Sequence, residues 1–321
     1  VAAPAPLAAG AALRPRGLPM LSFVIRRLLV AIPTMIVLVV VSYVLMFAAP
    51  GGPFNSEKPL PPAVMANVEA RYGLDRPYVV QIATYVWNIV ARWDFGPSFK
   101  YRDQTVSGLI AQGFPVTLTY GFWAFVVAVA AGVSLGVAAA VRQNSWLDYG
   151  AVGFAIGSSV LPNFVLAPIL VLVFTLWLDW LPAGGWYGGE ARYVVLPVIA
   201  LATSYLAAIA RITRSSMLEV LNSGFIRTAR AKGLPMRLIV WRHALKPALL
   251  PVLSYLGPAF VAMITGSVVI DVYFSTGGIG QYFVNSALNR DYSVIMGVTI
   301  LVGALTILFN LVVDVLYAWI D

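Results

Sequence analysis

FPVTLTYGFWAFVVAVAAGVSLGVAAAV, from Phe114 to Val141, holds no Asp, Glu, Lys or Arg in 28 consecutive positions. An α-helix rises about 1.5 Å per residue, so about 20 apolar residues cross the roughly 30 Å hydrocarbon layer of a bilayer. Phe114–Val141 is long enough to cross with turns to spare. Lipid offers no partner to backbone N–H and C=O groups, so only helices or closed barrels span it. Barrel strands are shorter and alternate in polarity. A continuous apolar run therefore specifies a helix.

Five more uncharged runs lie outward from this one: one between Arg27 and Ala49, then Tyr149 to Leu178, Tyr193 to Ala210, Pro247 to Ile270 and Tyr292 to Val313. The sequence thus predicts an all-α membrane protein with six transmembrane helices. Composition agrees, since only 11% of the 321 residues are charged and 60% are hydrophobic, whereas a soluble domain carries about 25% charged residues. No cysteine is present, which excludes disulfides, thiolate metal sites and cysteine nucleophiles. A single histidine, His243, excludes a histidine metal cluster. No catalytic and no metal site is expected.

The connecting segments set the topology. Pro77 to Ala91 is uncharged but too short to span, and with Gln81, Thr84 and Asn88 it reads as an interfacial helix. Val272 to Asn289 carries Ser275, Thr276, Gly277, Gly278, Gly280 and Gln281. It reads as a loop folded back against protein, where irregular backbone is sheltered from lipid. Lys and Arg collect on the cytoplasmic side. They are Arg14, Arg16, Arg26 and Arg27 before the first span, and eight residues between 211 and 246 against one acid, Glu219. Segments 179–192 and 271–291 hold two basic residues and four acids. Both termini and the 211–246 loop are therefore expected in the cytoplasm, in a multi-pass protein of the cytoplasmic (inner) membrane. The expected organisation is a disordered extension over 1–19, a first helix over 20–49, an external subdomain over 50–113 and a permease core over 114–319.

The basic loop has a plan beyond charge. Ser223 is suited to cap a helix, nine helix-compatible residues follow from Gly224 to Lys232, Gly233 supplies a left-handed end, and Pro235 prevents continuation. So short a helix does not persist alone, because isolated helices below about 12 residues are marginal. It must dock, and its sharp ending suits a partner's groove.

Within this plan the chain resembles a family. Arg227-Thr228-Ala229-Arg230-Ala231-Lys232-Gly233 and His243-Ala244-Leu245-Lys246-Pro247 resemble the cytoplasmic signature of peptide-transporting ABC permeases. Ala49-Pro50-Gly51-Gly52-Pro53-Phe54, Asp94 to Tyr101 (DFGPSFKY) and Ala287 to Ser293 (ALNRDYS) extend the likeness over roughly Met20 to Asp321. The match is to the permease subunits of oligopeptide ABC transporters, in the peptide/nickel-type binding-protein-dependent permease family. Two departures stand out. Arg227-Thr228-Ala229 replaces the Glu-Ala-Ala of other importers, and Thr276-Gly277-Gly278-Ile279-Gly280 lacks the proline usual in relatives.

The resemblance implies a type I ABC importer permease fold. It also implies a second homologous permease subunit, two cytoplasmic ATPase subunits and an external peptide-binding protein as partners, with membrane lipid around the spans. Helix 224–232 would couple to the ATPase. Phe225, Arg227, Thr228, Ala229, Arg230, Ala231, Lys232, Gly233, His243 and Pro247 form the coupling set. Gly277, Gly278, Gly280 and Gln281 are the loop residues facing the binding protein or the substrate path.

If transport is ATP-driven, the ATP must bind another chain, since the four lysines Lys58, Lys100, Lys232 and Lys246 follow no phosphate-binding glycine loop. The expectation is a subunit that is no enzyme and holds no cofactor, with ATP and Mg on the partner ATPases. The rival is an ion-gradient-coupled secondary carrier for small solutes. Such carriers bury functional carboxylates in their spans, and the one acid near a span interior on this reading is Asp314, at a helix end. Carriers also often repeat their halves, and no repeat is evident. Pro162, Pro168, Pro197, Pro251 and Pro258 are placed to kink spans three to five. Ser254, Tyr255, Thr265 and Ser267 are candidates to line a pathway through span five.

Overall fold

The computed structural model describes residues 20–48, 76–101, 103–265 and 268–320. The expected extension 1–19 and the Ala49–Phe54 word lie outside the described residues, as does most of the external segment before Arg76. Helices dominate what is described, and the one β-bridge there joins Pro97 to Thr105.

The chain begins with α1 (Met20–Ala48), followed by α2 (Tyr78–Arg92) and α3 (Val106–Val141). Next come α4 (Trp146–Val160) and α5 (Asn163–Val171), the latter running into a π-helical turn (Leu172–Trp177). Then come α6 (Ala191–Leu221) and α7 (Gly224–Ala231). A broken helical stretch follows: α8 (Met236–Leu238), π-helical turns (Ile239–Ala244) and α9 (Leu245–Ala248). The chain ends with α10 (Leu250–Thr265), α11 (Val268–Tyr273), α12 (Ile279–Asn289) and α13 (Tyr292–Ile320).

Among the described residues, five stretches are long and apolar enough to cross a membrane: Ile25–Leu45, Val106–Val141, Ala191–Leu221, Leu250–Tyr273 and Tyr292–Val313. Trp146–Ser158 and Asn163–Trp177 together make a sixth, bent by 106°. Six spans are reached only by counting that elbow as one. Pro162 sits in the break, where proline removes a helix donor and pushes the residue before it out of the helical region. The other prolines act less sharply. Pro168 and Pro258 lie inside helices, Pro197 is buried within an unbroken α6, and Pro251 occupies the first turn of α10, where its missing N–H has no partner to lose.

The axis of the bundle is the pair α3 and α6. Ala124, Ala128, Gly132 and Gly136 recur every four residues along α3 and are buried. A Cβ on Gly132 would come within 2.9 Å of Ile209 and of the Leu206 carbonyl, and one on Gly136 within 2.6 Å of the Ala210 carbonyl. Lipid gives helices no hydrophobic reason to associate, so close backbone approach through small residues supplies the packing. Around this axis Tyr120, Leu196, Leu201, Ile209, Met263, Ile270 and Phe274 form the main core.

Two predicted boundaries shift. Helix α3 begins at Val106, eight residues before the predicted start of the span at Phe114, capped by Thr105, whose hydroxyl accepts from Gly108 N–H at 3.1 Å. Helix α6 continues eleven residues past Ala210 into the segment assigned to the cytoplasmic loop. Charge ends the hydrocarbon, but it does not end the helix.

The loop expected over Val272–Asn289 is irregular only near Phe274–Gly278, and Ile279–Asn289 is helix α12. The glycines are confined to its start, and Ile279, Tyr282, Phe283 and Ser286 recur at helical spacing along its inward face. Pro77 precedes α2, a helix as expected, which packs on α1 through Tyr43, whose hydroxyl donates to buried Gln81. Burial pushes the Tyr85 phenol of α2 well above its ordinary pKa, and Asp94 adds in the same direction.

Candidate functional site

Helix α7 docks as its length requires. Ile226 and Ala229 are buried against Met217 and Leu221 of α6, Ile239, Val240 and Ala244 of the π-helical turns, and Ala140 of α3. The opposite face, with Phe225, Arg227, Thr228, Arg230, Ala231 and Lys232, is exposed. Phe225 keeps 52% of its surface open. Arg227 donates to the Asn222 carbonyl at 3.2 Å and Arg230 to the Leu221 carbonyl at 3.4 Å. Both cations thus sit on the last carbonyls of α6, where its dipole favours positive charge.

The end of α7 follows the sequence. Gly233 has φ +75°, and its N–H donates to Arg230 C=O at 2.9 Å, while Leu234 N–H donates to Ala229 C=O at 3.3 Å. This is a Schellman ending, with Leu234 packed against the cluster that holds Ala229. Two details differ from expectation. The helix has eight residues, with Lys232 as its C-terminal cap. Ser223 has capping backbone geometry but makes no side-chain cap bond, and its buried hydroxyl has no partner among the described residues.

Of the expected coupling set, Ala229 faces inward, and His243 and Pro247 lie half-buried on the π-helical turns and α9. Trp241, 72% exposed, and Met236 and Leu238 add apolar surface that the sequence reading did not assign. Its signal was there: large apolar residues between Arg237 and Arg242 in a loop otherwise chosen for charge.

Toward the other end of α3 from α7, Gly277, Gly278, Gly280 and Gln281 are brought together around an unforeseen residue. Asp271, in the first turn of α11, is 0% exposed. Its carboxylate accepts from the Tyr120 hydroxyl, the Thr276 hydroxyl at 2.5 Å, the Thr117 hydroxyl at 3.4 Å and Gly280 N–H at 2.9 Å. A Cβ on Gly278 or Gly280 would collide with this carboxylate. Gly277, at φ +76°, donates its N–H to Gln281 Oε1 at 2.8 Å. Gly278 and Gly280 are buried, while Gly277 and Gln281 are half-buried. The glycines here serve close approach to a carboxylate.

A second buried carboxylate joins two of the sequence words. Asp291 accepts from the Ser98 hydroxyl, Phe99 and Lys100 N–H at 3.2 Å, and the Ser293 hydroxyl at 2.8 Å. Burial raises the Tyr101 phenol beside it, Asn285 opposes by hydrogen bonding, and Asp291 adds to the rise. Placing Asp314 as the one acid near a span interior is thus corrected, because Asp148, Asp271 and Asp291 are all buried at span ends. Each is held by fixed donors. The Asp314 side chain lies outside the described residues.

In span five, Ser254 is exposed and Tyr255 half-buried. The Thr265 side chain and Ser267 lie outside the described residues. Span four contributes residues the sequence reading left out: Tyr205, within electrostatic reach of Tyr255, and Ser204, which donates to Asn163 Oδ1 of the elbow at 3.0 Å.

A bundle of six spans, counting the elbow as one, with small-residue packing at its axis and a docked basic helix between spans four and five, has the make-up of a transmembrane permease subunit. The comparisons agree. Residues 132–321 match the family described as "Binding-protein-dependent transport system inner membrane component", and residues 20–121 match its N-terminal component. The chain belongs to this family and is a multi-pass inner-membrane protein.

It is 59% identical over 302 residues to the oligopeptide transport system permease protein OppB of Salmonella typhimurium, covering 94% of this chain and 98% of that one. OppB of Escherichia coli K12 is 58% identical over the same shares. The dipeptide permease DppB of Bacillus subtilis is 42% identical, covering 94% and 97%. These relatives are permease subunits. Among solved structures, the inward-facing MetNI methionine ABC transporter shares the fold at TM-score 0.56 and 18% identity, over 66% of this chain and 96% of that one. The fold is that of a type I ABC importer permease, and an ion-coupled carrier is not favoured.

Proposed function

We propose that this chain is the subunit through which oligopeptides cross the inner membrane in an ATP-driven importer. The cargo reading is supported by relatives named as oligopeptide permeases at 58–59% identity over 94% of the chain. Its partners are a second homologous permease subunit, two ATPase subunits and an external peptide-binding protein. ATP and Mg bind the ATPases, and this chain holds no cofactor. Both termini and α7 face the cytoplasm.

The observation that carries the mechanism is the division of α7 into a face packed on its own chain and an exposed face bearing Phe225, Arg227, Arg230 and Lys232. A groove with an apolar floor and an acidic rim on the ATPase fits that face. When the ATPases close, α7 moves with them. The buried cluster and the arginine bonds to the end of α6 pass the motion to spans four and five as rigid bodies. Ser254, Tyr255, Thr265 and Ser267 are assigned to the path. The turn of Gly277, Gly278, Gly280 and Gln281 gives the external end the fixed shape against which the binding protein docks.

The test is transport by the purified complex in sealed vesicles. Peptide uptake should require ATP, the ATPase subunits and loaded binding protein. Uptake by this chain alone on a salt or pH gradient overturns the proposal.

A further inference from the structure

Packing assigns most of the surface of α6. Ile209, Ala210 and Thr213 meet the glycines of α3, Arg214 turns to Asp148 of α4, and Tyr205 packs, like Tyr255 of α10, against the main core. One stripe remains: Ser204, Ala208, Arg211 and Ser215, spaced four, three and four residues apart and so aligned along one side of the helix. All four are half-buried or exposed. The stripe starts at Asn163 in the elbow of span three and ends beside a pocket of about 360 Å³ between α3, α4 and α6. Two cations, Arg211 and Arg214, line that pocket, and Arg214 is paired with Asp148.

Arg211 lies at the inner end of span four, one residue past its uncharged run. Gly136 of α3 packs beside Ala210 and Arg214, and α3 continues through apolar Val137–Val141, about 7 Å further at helical rise. A charge at that level avoids lipid and faces protein or a water-filled cavity. Arg211 donates to the Ala155 carbonyl at 3.2 Å and lies within electrostatic reach of Tyr255. Its guanidinium is thereby held against span three, at the inner end of a polar stripe.

A guanidinium presents a planar fork that matches a carboxylate with two parallel hydrogen bonds. Every linear peptide carries one such group whatever its side chains. We propose that Arg211 receives the C-terminal carboxylate of the cargo at the cytoplasmic end of the path. This contact is one that peptides of many sequences share, and it rests on the peptide-importer reading above.

The test uses the complete complex in sealed vesicles. The binding protein is loaded to saturation with tripeptides of uncharged side chains, identical except for a C-terminal carboxylate or carboxamide, so capture outside the membrane drops out. The acid should enter about three- to ten-fold faster than the amide per ATP hydrolysed, as one charge-assisted bond permits. Arg211→Gln should remove that preference by slowing the acid, and Arg211→Lys should keep part of it. Equal uptake of acid and amide by the unaltered complex overturns the proposal, as does a parallel loss of both in Arg211→Gln. If neither peptide enters while loaded binding protein stimulates ATP hydrolysis, the peptide reading itself falls, a result distinct from equal uptake.

Discussion

Arg214 of α6 donates to both carboxylate oxygens of Asp148, which lies 66 positions earlier in the first turn of α4. Asp148 also accepts from Asn144 N–H at 3.0 Å, and its own N–H donates to the Ser145 hydroxyl that caps α4. One ion pair thus fixes where span three starts relative to span four. Asp148 is 2% exposed and the Arg214 side chain 27%. Asp148→Asn leaves a sheltered guanidinium without its counter-charge and should lower stability by about 1–3 kcal/mol. The midpoint of thermal unfolding in detergent reads this. Asp179→Asn, at an exposed position, should leave that midpoint unmoved.

Glycines on α3 and α4 should respond differently. Gly136→Val drives methyl groups into the Ala210 backbone and Thr213, so it should block packing of spans two and four and abolish accumulation of folded protein. Gly150→Ala meets nothing within 4 Å, and Ala is the better helix former by about 1 kcal/mol. Equal yields of the two variants would contradict the packing described for α3 and α6.

Gly233 is constrained by its backbone angle, not by space, because no atom lies within 4 Å of a Cβ built there while φ is +75°. A β-branched side chain is strained in that region, whereas Asn enters it more readily. Gly233→Val should therefore uncouple ATP hydrolysis from peptide uptake, and Gly233→Asn should retain most coupling. Measuring both rates on the same vesicles decides it, and undiminished transport by Gly233→Val would count against the mechanism.

The two faces of α7 should separate by phenotype. Ile226→Asp places a charge in a site with 0% exposure and should destabilise the subunit itself. Phe225→Ala should leave the isolated subunit's unfolding midpoint within about 0.5 kcal/mol while reducing the ATPase that co-purifies with it. Loss of stability in both variants would place Phe225 inside the fold.

Gly280→Ala should cost about 1–3 kcal/mol through overpacking, since its Cβ would lie 2.6 Å from both Asp271 Oδ2 and the Val268 backbone. Asp271→Asn keeps the shape but halves the acceptor capacity around Tyr120, Thr117, Thr276 and Gly280 N–H. It should loosen the external turn, read as faster hydrogen exchange at residues 276–282.

The spans were legible because lipid writes its demand as missing charge, and Phe114–Val141 states it alone. Helix α7 was legible because Gly233 and Pro235 punctuate it. The elbow after Val160 was half legible: Pro162 marked a kink, but nothing in an unbroken apolar run announces a turn of 106°. Asp271 and Asp291 were counted as loop charges, since a carboxylate's sequence neighbours do not reveal donors that arrive from Tyr120 or Ser98, more than 150 positions away.

Helix α6 runs without a break for 31 residues, a rod of about 46 Å at helical rise. Pivoting such a rod by 10° about its middle sweeps each tip through about 4 Å. A modest stroke delivered below the bilayer is thus converted, with no intervening joint, into an opposite displacement of similar size at the far surface.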